Sequence, residues 1–158
     1  MIEPDALRQM KMLGYLTDEM LQALIPIIDV MSFDPGEKVF SQDDPADRLY
    51  LLKTGKVLLE QRISEHVTVS LSAINPGFSF GWSALIEESS YSTDAICAEP
   101  SETFSVKTAD LMRKMEENHS LGYIINQRLL YVIKKRFDVR TKQFVKTLKL
   151  HPEISELL

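Results

Sequence analysis

Between Asp29 and Lys107 turn residues punctuate the chain about every 8–12 positions, and that spacing leaves room only for short strands. The turns are Asp34-Pro35-Gly36-Glu37, the polar run Gln42 to Asp47, Thr54-Gly55, Ser64-Glu65, Asn75-Pro76-Gly77 and Pro100-Ser101. Between them Met31 and Phe33 alternate with Val30, Ser32 and Asp34, and Lys38 to Gln42, Arg48 to Lys53 and Lys56 to Arg62 follow as β-rich runs. His66 to Ile74 repeats Val67, Val69 and Leu71 on one face, and Thr93 to Glu99 and Glu102 to Lys107 complete the series. Strands so spaced build an antiparallel sandwich or jelly roll.

Helices flank this region. Pro4 to Met12 and Thr17 to Ile25 are expected to be helical, separated by Gly14, with Thr17 as a cap and Asp18 and Glu19 at the positive end of the dipole. Thr108 to Glu117 reads as a short helix. Asn118-His119-Ser120 breaks it and caps the next, which meets no Pro or Gly from Tyr123 until Pro152. A continuous helix from Ser120 to Leu150 is about 45 Å long. Ile125, Leu129, Val132, Ile133, Phe137, Phe144 and Leu148 recur at helical steps, while Ile124, Leu130, Tyr131, Val139 and Val145 point elsewhere. A helix apolar on more than one side needs two partners, its own sandwich and a second copy of itself. The expected fold is α+β and mainly β: an antiparallel β jelly roll with N-terminal helices and a long C-terminal helix. Residues 1–118 form the roll with its flanking helices, and residues 119–158 the long helix and a short tail.

Composition narrows the function classes. The 158 residues, 44% hydrophobic, suffice for one core. The run Leu24 to Ile28 is broken by Pro26 and nothing approaches a bilayer span. Met1 to Asp5 lacks a basic and an apolar leader region, so a cytoplasmic protein is expected. Cys97 is the single cysteine, and His66, His119 and His151 have no partner at metal-ligand spacing, so no disulfide and no metal are expected. Asp43, Asp44 and Asp47 read as a polar connection and Glu87-Glu88 as a solvated turn. No nucleophile and base stand in a plausible setting, so neither catalytic residues nor an enzyme is expected. Charge is uneven: residues 1–118 carry 10 Lys+Arg against 20 Asp+Glu, and residues 119–158 carry 8 against 3.

The stretch Asn75 to Ile86 combines a turn, a close-packed Gly81 and a burst of helix, a combination that can cradle an anion on backbone N–H groups. Between Arg62 and Lys107, however, the only basic-type side chain is His66.

The order of segments, with Asp34 to Gln42, Arg48 to Val57 and Asn75 to Leu85 at these separations, resembles the cyclic nucleotide-binding domain of bacterial catabolite-activator-like regulators and of kinase regulatory subunits. The resemblance covers about residues 15–140. It implies a roll holding a cyclic nucleotide in a phosphate cassette, usually Gly-Glu followed further on by Arg-Ser/Thr-Ala. On that basis the candidate ligand-binding residues are Phe80, Gly81, Trp82, Ser83, Ala84, Ser92, Thr93, Asp94 and Ala95. Gly81 keeps the glycine, Trp82 stands at the glutamate position, and Ser92-Thr93-Asp94-Ala95 stands where the arginine is expected. A charged hydrogen bond left without its partner costs about 2–5 kcal/mol. Binding of cyclic AMP or cyclic GMP is accordingly expected to be weak or lost unless a distant cation, Lys56, Arg136 or Arg140, replaces the arginine. The last helix closes over the pocket in relatives, which adds Arg136, Arg140 and Thr141 as helix contacts.

The expectation is a regulatory or sensor domain, homodimeric through residues 120–150, acting on an unknown protein partner. Its ligand is an atypical small anion or nothing. Two rival readings are a dimerisation or scaffold module whose pocket is packed shut by Trp82 and Phe80, and the sensor part of a Crp/Fnr-type transcription regulator lacking its DNA-binding domain. Thr147 to Leu158 is too short for a helix-turn-helix, so specific DNA binding by this chain is not expected.

Overall fold

The structure, a computed structural model, describes residues 2–155; the end of the expected tail, residues 156–158, lies outside them. Two short helices, α1 (Pro4–Arg8) and α2 (Asp18–Leu24), and a 3₁₀ turn (Ile25–Ile27) lead into eight strands. These are β1 (Ile28–Phe33), β2 (Lys38–Phe40), β3 (Arg48–Thr54), β4 (Val57–Ser64), β5 (Val67–Ile74), β6 (Ser79–Phe80), β7 (Asp94–Cys97) and β8 (Ser101–Lys107). Helices α3 (Thr108–Glu117), α4 (His119–Lys149) and α5 (Pro152–Ser155) follow. The strands form two antiparallel four-stranded sheets ordered β1-β8-β3-β6 and β2-β7-β4-β5, the expected jelly roll.

β3 shows why the two layers hold together. Its side chains alternate across the sheet, so Leu49 and Leu51 face one core and Tyr50 and Leu52 the other. The inner core is the inside of the roll, filled by Phe40, Tyr50, Phe80 and Tyr91 with Leu52, Val57 and Ile74. Phe40 stacks on Tyr91 with centroids 3.8 Å apart, and Tyr50 on Phe80 at 5.3 Å. The Tyr91 hydroxyl donates to the Arg48 carbonyl oxygen at 2.8 Å, which satisfies a phenol that burial would otherwise penalise. The outer core joins the N-terminal segment to α3 and α4: Leu7, Leu21 and Leu24 meet Phe104 and Val106 of β8, Leu111 of α3, and Leu121 and Ile125 of α4.

One expected boundary changes, and two exposures that the sequence left open are decided. α1 ends at Arg8 rather than Met12, because consecutive tight turns, with Gly14 N–H bonded to Met10 O at 2.9 Å and Leu16 N–H to Leu13 O at 3.0 Å, let Met10, Met12, Leu13 and Leu16 all point inward. Val67 and Val69 are 48% and 38% exposed, because the β4–β5 hairpin projects past the sheet that covers its base. In α4 only Leu121, Gly122 and Ile125 are buried. Ile133, Phe137, Phe144 and Leu148 are exposed and form no core-facing stripe. Thr17 caps α2 by accepting from Met20 N–H, and Asn118 caps α4 by accepting from Leu121 N–H, both as the sequence suggests.

Asp94 is 8% exposed and its carboxylate accepts from Lys38 Nζ at 2.8 Å and from Gln42 N–H at 2.7 Å. Burial works to raise its pKa, but these two hydrogen bonds and the Lys38 charge outweigh it and hold the group below its ordinary value of 3.8. A depressed pKa contributes stability that is present above the ordinary value and is lost as pH falls through the folded one. Asp94→Asn is expected to cost about 1–3 kcal/mol at neutral pH. Urea denaturation from pH 7 down to pH 3 checks this: the gap between variant and parent narrows toward the acid end.

Candidate ligand site

The cradle begins where β6 ends. Gly81 has φ +78°, and a Cβ there would come within 3.1 Å of the Arg48 carbonyl oxygen and 3.1 Å of the Tyr50 ring. Only glycine accepts both the left-handed backbone and that crowding. The chain can therefore leave the aromatic core sharply and coil into a 3₁₀ turn, Trp82–Leu85. This turn places the Trp82 indole at the mouth of the roll, where its Nε1–H donates to Ser79 Oγ at 3.0 Å.

A cavity of about 140 Å³ lies over the turn. Gly81, Trp82 and Ser83 form one side and Ser92 and Thr93 another, with Phe40, Leu59 and Tyr91 beneath. Arg136 and Arg140 of α4 complete the wall. The sequence places no Lys or Arg near this stretch, yet the space contains two arginines, because the long helix crosses the opening. Of the distant cations weighed from the sequence, Arg136 and Arg140 line this space and Lys56 does not, because position along the chain is no guide to a charge carried by an element that folds back.

Arg136 is the closer tie. Its guanidinium lies 3.8 Å from the Trp82 ring centroid and donates from Nη2 to the Ser79 carbonyl oxygen at 3.0 Å. Burial first, and then the charge of neighbouring Arg140, push its pKa down to about 10. It remains protonated at neutral pH, without a carboxylate partner among the described residues. Two guanidiniums that repel each other beside small hydroxyls favour an anion between them. A further cavity of about 310 Å³ shares both arginines and runs along Leu71 to Asn75 of the β5 edge beneath Val139 and Gln143.

Not every candidate residue comes to this space. Phe80 is fully buried in the aromatic core, and Ala84 and Ala95 are buried behind the turn and in the roll. Asp94 brings no free negative charge, because its carboxylate is turned onto Lys38 and Gln42. Thr141 is exposed and donates to the Phe137 carbonyl oxygen at 3.0 Å on its own helix. Lys56 pairs with Glu99 at 3.8 Å, away from the cradle. Residue-by-residue reading missed Ser79, which anchors both Trp82 and Arg136, and Tyr91, which floors the cavity. The spacing Ser79 to Trp82 was the available signal for the first, and nothing local marks the second.

Residues 30–118 match the cyclic nucleotide-binding domain family. The chain belongs to that family. In three dimensions it is similar to a protein of Geobacter metallireducens GS-15 described as cyclic nucleotide-binding, with 29% identity over 87% of this chain and 99% of that one and a TM-score of 0.75. The fold is shared with the sensor domain of the transcriptional regulator DNR from Pseudomonas aeruginosa, at 24% identity, 85% of this chain, 90% of that chain and a TM-score of 0.71. It is shared too with the catabolite activator protein of Thermus thermophilus, at 19% identity, 88% of this chain, 64% of that chain and a TM-score of 0.74. Among curated proteins, Glutaminase 1 of Bradyrhizobium diazoefficiens is 27% identical over 141 residues, which cover 87% of this chain and only 22% of that protein.

The family's fold places the cradle; the identity of the helix residues above it sets the charge. Arg136→Met removes the Ser79 bond and the contact with Trp82, and is expected to loosen α4 by about 1–3 kcal/mol. Amide exchange in residues 130–145 reads this as faster exchange, and the emission of Trp82, the single tryptophan, shifts with it.

Proposed function

We propose that the chain is a regulatory sensor domain of the cyclic nucleotide-binding fold, working as a homodimer, in which an anion in the cradle is gripped by the long helix rather than by the roll. The observation that carries this reading is the placement of Arg136 and Arg140 on the wall formed elsewhere by Gly81, Ser83, Ser92 and Thr93. An anion there bonds roll and helix together, so occupancy and the docking of α4 become one event. A ligand acts on a partner surface only through such a difference in affinity between two arrangements.

Cyclic AMP and cyclic GMP fit this site poorly. The cavity of about 140 Å³ is below the roughly 300 Å³ at which small-molecule sites begin. Admitting a whole nucleotide means lifting Arg136 from Trp82 and Ser79. The same contact favours the second reading, a constitutive dimerisation module with its pocket closed.

Support for the dimer comes from α4. Tyr123, Leu130, Phe137 and Phe144 recur every seven residues and are 66%, 61%, 66% and 63% exposed. A seven-residue apolar repeat on an exposed helix is the pattern that buries itself against a second helix. Calorimetric titration with cyclic AMP and cyclic GMP is expected to show dissociation constants no tighter than about 100 μM, and micromolar affinity for either overturns the loss of nucleotide binding. Arg140→Gln is expected to weaken any anion that does bind the cradle about tenfold. A nucleotide and anion panel with no thermal shift at all selects the closed module. Sedimentation equilibrium at tens of micromolar is expected to return twice the chain mass of 18.1 kDa, and Phe137→Lys to return one; a monomeric parent removes the dimer.

A further inference from the structure

On another flank of α4 a separate recess of about 430 Å³ opens between Lys11 and Met12, the Phe78–Ser79 segment and the helix. Its charged lining is all of one sign: Lys11, Arg128, Lys135 and Arg136, with no Asp or Glu among its residues. The chain has 23 acidic side chains to 18 Lys+Arg, so carboxylates are in excess. Yet among the described residues none of these four cations forms an ion pair.

Their partners are aromatic rings. Lys11 Nζ lies 3.7 Å from the Phe78 centroid, the Arg128 guanidinium 4.2 Å from Tyr15 and 4.9 Å from Tyr131, and Lys135 Nζ 4.9 Å from Tyr131. The rings hold the cationic heads in place without neutralising them. Arg128 Nε is buried and has no hydrogen-bond acceptor, an unmet demand that a neutral packing role leaves unexplained. The Tyr131 phenol is held below its ordinary pKa by the Lys135 hydrogen bond and then, against desolvation, by the charges of Lys135, Arg128 and Lys11, which shows how closely these cations converge.

We propose that this recess is a second anion site, distinct from the cradle, that takes a small polyanion carrying two or more phosphate charges. A concave surface lined by one sign of charge concentrates counter-ions. Two guanidinium forks suit phosphate oxygens and two ammonium groups add point charge. The volume lies within the range of about 300–1,000 Å³ typical of small-molecule sites. Arg128, Tyr131 and Lys135 stand off the Tyr123-Leu130-Phe137-Phe144 repeat, so a helix-to-helix dimer leaves the recess open. Arg136 borders both spaces, but Lys11, Arg128 and Lys135 do not border the cradle and Arg140 does not border the recess, so substitutions at these four residues tell the two sites apart.

Calorimetric titration of the chain with inorganic pyrophosphate at constant ionic strength tests the assignment. Saturable binding at micromolar to tens of micromolar is expected, with inorganic monophosphate about tenfold weaker or more. The double variant Lys11→Gln/Arg128→Gln, and separately Lys135→Gln, are expected to lose about tenfold or more while still folding and melting cooperatively. Arg140→Gln, on the cradle, is expected to leave pyrophosphate affinity as it was. Absence of saturable binding up to millimolar pyrophosphate overturns the second site. So does full affinity in both recess variants, or a loss confined to Arg140→Gln, which moves the anion to the cradle.

Discussion

A guanidinium that pairs with no carboxylate among the described residues ties the long helix to the roll. Arg136 gives up part of its hydration, keeps its charge, and is satisfied by one carbonyl and one indole face. A paired arginine would be a settled contact. This one retains unspent capacity for an anion, and the proposed role of the helix as a lid over the cradle rests on that capacity.

The contact exists only because several things beneath it are rigid. Phe40, Tyr50, Phe80 and Tyr91 fill the roll as a connected set of rings, fixing β6 and thus the point at which Gly81 turns the chain outward. Ser79 and Trp82 then present an oxygen and a ring to the same arginine. From the opposite face of β3, Leu49 and Leu51 pack in the cluster that holds Leu111, Leu121 and Ile125. The roll and the root of α4 therefore share a strand, whereas the outer part of the helix touches the body mainly through polar ends. A helix anchored at its root, and tied over the cradle by Arg136, is well placed to answer to what occupies that space.

The fold was largely legible along the chain. Turn spacing and period-two runs marked the strands because each strand is short and bounded by residues with fixed conformational preferences, and the caps at Thr17 and Asn118 worked for the same local reason. The β4–β5 tip was not legible, since Val67 and Val69 alternate like core residues although both are exposed. The apolar groups of α4 were visible, but which of them face the body was not: that depends on where the helix axis passes over the sheet. At the site, Gly81, Trp82, Ser83, Ser92 and Thr93 reach one cavity. Phe80, Asp94 and Ala95 do not, because alternation along β6 and β7 sends each neighbour the other way or into the core, and Ala84 is buried within the 3₁₀ turn.

By itself the sequence determined the jelly roll, the glycine at its turn, the length of the long helix and the absence of Lys and Arg between Arg62 and Lys107, all read from local preference, periodicity and composition. Only the tertiary structure decided the charge of the cradle and of the recess beside it. Asp94 is neutralised by a lysine 56 positions earlier, and Arg136 meets Ser79 across 57 positions. Coulomb energy depends on separation in space, and separation in space between such distant residues is set by packing alone.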